Sequence, residues 1–212
     1  MRVALIYSGL VNFTQKTLDN HHKFLIDNYD TDIYISSYGD RVTTPKPKSV
    51  EQMDDLQDWT SYFKTVINDP NIIARSETNP VNTLSMFYKI YRGFCMVRDS
   101  GNSYDIIVRC RSDITFDAPV NLIINDSLNV PKGGDHHGGL MDLFAYGNYP
   151  IMNMHSKLHL FIGKYLYLDR IVLHPETLLR YHCNCLNIPI NRFDQNIYLR
   201  NSLFTSTAPT VY

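Results

Sequence analysis

Three charged side chains crowd into the stretch RCRSDITF at residues 109–116, directly after the apolar run Ile106 to Val108. Read as one strand, period two puts Arg109, Arg111 and Asp113 on one face, with Val108, Cys110 and Ser112 on the other. Two guanidinium groups beside a carboxylate can compensate a phosphate's charge, or they can form an ion pair at a sheet edge. Position favours a ligand, because the cluster falls at the carboxyl end of an expected central strand, where open α/β sheets bind their substrates.

Other candidates fall at the ends of neighbouring elements. Ser8 and Gly9 follow the first apolar strand and offer backbone N–H groups and close approach to an anion, or simply a tight turn. Ser36 and Ser37 end the second strand, where a ribose or base would lie. From Asn79 to Lys89 the start of a helix can face a phosphate, with Lys89 as a mobile point charge; a capped helix with a solvated lysine is the plain alternative. His136 and His137, in the glycine-rich KGGDHHGG of residues 132–139, diverge if that stretch is extended, so only one of them could join a shared ion. His21 and His22 are expected on a helix surface, and Glu176 as a favourable charge on a helix dipole.

Positioning these residues requires an α/β domain. Val3 to Tyr7 reads as a buried parallel strand, Thr14 to Tyr29 as a helix and Asp32 to Ser36 as a second strand, which makes one βαβ unit. Asp40 to Asp58, with Pro45 and Pro47, reads as a surface excursion and lid, followed by a short helix near Trp59 to Val66. Ile72 to Ala74 is a short strand candidate. Asn79-Pro80 precedes a helix whose core face carries Leu84, Phe87, Tyr91, Phe94 and Cys95. Further strands are expected at Leu128 to Val130, Leu143 to Ala145 and within Ile188 to Arg200. Helices are expected from Ile151 to Tyr167 and from Pro175 to Leu186. The fold class is therefore a single α/β domain with a central, mostly parallel sheet flanked by helices.

Composition narrows the partners. A net charge of −1 with 44% hydrophobic residues argues against disorder and against a broad affinity for nucleic acid. No apolar run is long enough for a membrane span or a signal peptide, so a cytoplasmic protein is expected. Cys95, Cys110, Cys183 and Cys185 have neither disulfide-framework density nor zinc spacing and read as buried free thiols.

The order YSG at 7–9, RCRSDITF at 109–116, MDLFAYG at 141–147, HPETLL at 174–179 and IYLR at 197–200 resembles a family of GT-A-type glycosyltransferases of microbes and large DNA viruses, chloroviruses among them. The resemblance covers essentially the whole chain. It implies transfer of a hexose or deoxyhexose, of glucose or rhamnose type, from a UDP-sugar donor to a glycan or glycoprotein acceptor, as in viral capsid glycan synthesis in the host cytoplasm. Such enzymes hold Mn²⁺ or Mg²⁺ with an Asp-x-Asp motif. Here Arg111 replaces the first Asp, so only Asp113 carries over as a metal ligand, with Arg111 or Arg109 supplying part of the charge compensation. Asp142 falls in the segment that faces acceptor and sugar and is assigned as a candidate general base, or else as a turn-capping carboxylate. The resemblance also implies a GT-A domain over residues 1–201. Residues 202–212, poor in charge and containing Ser, Thr and Pro, form a tail or a linker to a further domain.

Two other classes stay open. A non-catalytic nucleotide-sugar or carbohydrate-binding module would bind without turnover. A sugar-phosphate nucleotidyltransferase would need basic residues in the loop after the first strand, which YSGLVNF at 7–13 lacks.

Overall fold

The computed structural model describes residues 1–38, 45–53, 66 and 68–199. Nine strands are present among them: β1 (Arg2–Gly9), β2 (Asp30–Tyr38), β3 (Ser49–Met53), β4 (Ile106–Cys110), β5 (Ile114–Phe116), β6 (Leu128–Pro131), β7 (Phe144–Gly147), β8 (Ile190–Phe193) and β9 (Ile197–Leu199). The helices are α1 (Gln15–Phe24), α2 (Pro70–Ile73), α3 (Pro80–Asp99), α4 (Tyr149–Ser156), α5 (Leu158–Tyr167) and α6 (Pro175–Cys185).

Seven strands form one sheet in the order β3-β2-β1-β4-β7-β6-β8, and β5 pairs with β9 in a small second sheet. β1 runs parallel to both β2 and β4, β2 to β3, and β6 to β8; only β7 is antiparallel to its neighbours β4 and β6. This is a GT-A or Rossmann-like α/β fold, as expected from the sequence. The chain steps outward from β1 to β2 and β3, then returns to the other side of β1 as β4. That reversal opens a crevice between the carboxyl ends of β1 and β4, the place such sheets offer a ligand.

Burial explains the layering. Leu5, Ile6, Tyr7, Ile107 and Val108 are almost fully buried, because a parallel sheet covered on both faces has no solvent side. Ile6 faces α3, which approaches so closely that any side chain at Gly93 would collide with the Ile6 methyl. Tyr7 faces α1, its ring stacked on His21. α3 buries Leu84, Phe87, Ile90, Phe94 and Val97 at helical spacing. Its start is fixed by Asn79, whose side chain accepts from the N–H groups of Val81 and Asn82, and by Pro80 in the first turn.

Several local expectations are corrected. Ile72 to Ala74 is not a strand: Asp69 caps the Asn71 N–H and Pro70 opens the short helix α2. β4 stops at Cys110, so Arg109, Arg111 and Asp113 do not alternate along one strand; Ser112 and Asp113 form a turn before β5. The helix expected from Ile151 to Tyr167 is two helices meeting at Lys157. The excursion after β2 contains β3, paired in parallel with it. Cys185 is exposed, whereas the other three thiols are buried as expected. His21 is fully buried rather than on a surface: its Nε2 donates to the Ile114 carbonyl at 2.8 Å, which leaves Nδ1 to accept from the Tyr7 hydroxyl at 2.8 Å. The rest of the expected lid, most of the short helix near Trp59 and the tail at 202–212 lie outside the described residues. Among the described residues no helix is long and apolar enough to cross a membrane.

Candidate active site

A cavity of about 660 Å³ opens at the crevice between β1 and β4, within the range typical of small-molecule sites. Ser8, Gly9 and Leu10 close it at the end of β1, and Arg109, Arg111, Ser112 and Asp113 at the end of β4. Asn79, Val81 and Asn82 bring the amino end of α3 to its wall, Pro175 the amino end of α6, and Asp142 the approach to β7. Two helix amino ends and two guanidinium groups make it a place for an anion.

Arg109 is 1% exposed, yet neither of its terminal nitrogens has a hydrogen-bond partner among the described residues. Only its Nε reaches an acceptor, the Ser8 hydroxyl at a long 3.5 Å. Burial pulls its pKa down to about 10, a shift partly offset by the nearby Asp142 carboxylate. It therefore stays charged at neutral pH. A buried donor left without an acceptor costs about 1–3 kcal/mol, more when charged. A ligand with phosphate oxygens would remove that cost.

Arg111 and Asp113 form a two-pronged pair: Nε donates to Oδ1 at 2.8 Å and Nη2 to Oδ2 at 2.7 Å. Burial opposes ionisation of Asp113, but the Arg111 hydrogen bonds and charge outweigh it and hold the pKa below the usual carboxylate range. Both oxygens that would ligate an ion are thus already engaged. The turn is braced from the β1 side, where the Asn12 N–H donates to the Ser112 hydroxyl at 3.1 Å. Asp142, 9% exposed, lies close enough to Arg109, Arg111 and Glu176 to shift the titration of each.

Three residues named from the sequence stay out of the cavity wall. β2 runs on through Ser36 and Ser37 to Tyr38, leaving both serines fully buried, and Tyr38 lines the cavity instead. Lys89 is buried in the middle of α3, not at its start, with Nζ 4.4 Å from the centre of the Tyr38 ring. Burial lowers its pKa to about 8, so it is a shielded cation behind the aromatic wall rather than a mobile charge.

The sequence reading missed a second grouping. Glu77, His137 and His174 place ligand atoms within 4.8 Å of one another. Glu77 precedes Thr78 and His174 precedes Pro175, and both of those neighbours line the cavity, so the group stands at its rim. Its donor set gives the protein capacity for a divalent cation, consistent with a metal-assisted transferase. Glu176 accepts from the His136 N–H at 2.9 Å, and burial and the Asp142 charge push its pKa up to about 7.

No protein-family model matches the chain, and no curated protein matches it either.

Proposed function

We propose that the protein is a glycosyltransferase that takes its sugar from a nucleoside diphosphate sugar, of the UDP-hexose or UDP-deoxyhexose kind, and passes it to a glycan acceptor. The observation that carries this reading is the buried guanidinium of Arg109, whose two terminal nitrogens have no partner among the described residues, in the wall of a cavity built at the carboxyl ends of β1 and β4. The diphosphate takes the Arg109 donors, with Arg111 beside it and the amino end of α3 facing it. Charge grows on the departing nucleoside diphosphate as the glycosidic bond breaks, and these fixed dipoles and charges oppose its build-up without reorganising. A divalent cation, when bound, would supply further compensation of the same kind. The nucleobase packs along Tyr38, and Asp142 accepts the proton of the acceptor hydroxyl. The resemblance to GT-A-type enzymes supports the same assignment and favours uridine as the base. Residues 1–201 would form the transferase domain.

Incubating the protein with UDP-glucose and related UDP-sugars, with and without Mn²⁺, tests this. Release of free UDP, abolished by Asp142→Asn or Arg109→Met, is expected. Tight UDP-sugar binding with no release under any acceptor would instead favour a binding module.

A further inference from the structure

We propose that Glu77, His137 and His174 form a divalent-cation site selective for late first-row transition ions such as Zn²⁺, and that Asp113 is not the cation's anchor.

The ligands come from three separate segments: the link before α3, the loop between β6 and β7, and the residue before α6. Each is held in place by bonds other than its own. The Ser76 and Thr78 hydroxyls, on either side of Glu77, both donate to the Leu173 carbonyl at 3.3 Å, which sets Glu77 beside His174. On the other flank, the Leu140 N–H donates to the Glu176 carbonyl at 3.0 Å and the His136 N–H to the Glu176 carboxylate, which docks the loop carrying His137 onto the start of α6. Gly139 makes this docking possible, since a Cβ there would lie 2.5 Å from the Glu176 backbone carbon.

Within this brace the two imidazoles and the carboxylate converge. His137 Nε2 lies 2.9 Å from Glu77 Oε2, and the His137 and His174 rings are 5.0 Å apart with their planes at 73°. His137 adopts φ 51° and ψ 33°, a left-handed conformation that a non-glycine residue takes at some cost. Of the adjacent pair only His137 joins the group, in keeping with the expectation that one of the two at most could share an ion. The His174 side chain does not cap α6, although it occupies the cap position. Its Nδ1 lies 3.3 Å from the Thr177 hydroxyl, leaving Nε2 for an ion, the arrangement that commonly fixes a ligating imidazole.

Two imidazoles and one carboxylate suit Zn²⁺ and its neighbours, whereas Mg²⁺ and Ca²⁺ demand oxygen ligands. Three protein ligands leave a coordination position for water or a ligand oxygen. At Asp113, by contrast, Arg111 holds both oxygens and itself stands where a second carboxylate would be needed. The site does not depend on the donor assignment, so its test uses the metal alone.

The full chain, stripped with a chelator, is titrated with Zn²⁺ by calorimetry, and with Co²⁺ by visible absorption, against a background of Mg²⁺. One tight equivalent of Zn²⁺ is expected, undisturbed by millimolar Mg²⁺. Affinity should fall at least tenfold in His174→Ala and in the surface variants His137→Ala and Glu77→Gln, and stay unchanged in Asp113→Asn. The surface variants keep the test valid should His174→Ala misfold. Absence of Zn²⁺ binding, loss of it in Asp113→Asn, or wild-type affinity in both surface variants would overturn the proposal.

Discussion

Arg111 grips Asp113 through two parallel hydrogen bonds at 2.8 and 2.7 Å, so a guanidinium engages both oxygens of the carboxylate expected to hold an ion. Asp113→Asn keeps the shape and removes the charge. With about a third of each side chain exposed, the loss at pH 7 should be about 1 kcal/mol. Because the folded-state pKa of Asp113 is lowered, this stability is present above the unfolded value of about 3.9 and disappears as pH falls further. Urea denaturation at pH 7 and pH 3 should show the variant weaker at the first and the gap to the wild type narrowed at the second.

His21 supplies a second pH dependence of the same direction. Burial lowers its pKa to about 4, while the unfolded chain protonates its histidines near 6.5. Between these values the unfolded state binds more protons, so stability is full above about pH 6.5 and falls as the pH drops toward 4. His21→Gln should start from a lower melting temperature, having lost at least one of the bonds to Tyr7 and Ile114, and show a shallower decline across that window. A parallel decline in both proteins would show that His21 is not responsible.

Gly139→Ala forces a methyl group into the Glu176 backbone, a contact of 2.5 Å that neither main chain can easily yield. A cost of about 1–3 kcal/mol is expected. Because the loop carrying His137 and the approach to Asp142 both rest on this contact, UDP-sugar turnover should fall with it. Wild-type melting and turnover in this variant would mean that the loop seats differently.

The proposed uridine site would show itself as a base preference. UDP should raise the melting temperature more than GDP or CMP does, since a ligand that binds only the folded state stabilises it in proportion to its affinity. Equal shifts from all three would exclude recognition of the base.

The sequence carried the sheet and the crevice further than it carried the side chains. Continuous apolar runs at Val3 to Tyr7 and Ile106 to Val108 mark strands buried on both faces. Asn79-Pro80 and Pro175 mark helix starts. Those signals bring Ser8, Gly9, Asn79, Arg109, Arg111, Asp113 and Asp142 to one cavity. The rest turned on where strands end. One strand through Asp113 would have fanned the charged triplet along a face; stopping at Cys110 lets Arg111 fold back onto Asp113. Two further residues of β2 buried Ser36 and Ser37 and delivered Tyr38 in their place. Glu77, His137 and His174 come from distant segments with no shared spacing, so only the folded chain shows them together.

Arg109 bears most directly on the account, because its charge is buried and its terminal nitrogens lack partners among the described residues. Calorimetric titration of UDP into the wild type and into Arg109→Met, with melting curves of both ligand-free proteins, isolates its role. A buried cation whose terminal donors are unsatisfied carries a desolvation cost that an apolar side chain of similar length does not, so the variant should melt at or above the wild-type temperature. Its UDP affinity should nevertheless fall by about tenfold or more, the equivalent of at least about 1.4 kcal/mol. Unchanged UDP affinity in a folded Arg109→Met protein, or no UDP binding by the wild type, would contradict the assignment of this cavity to a nucleoside diphosphate sugar.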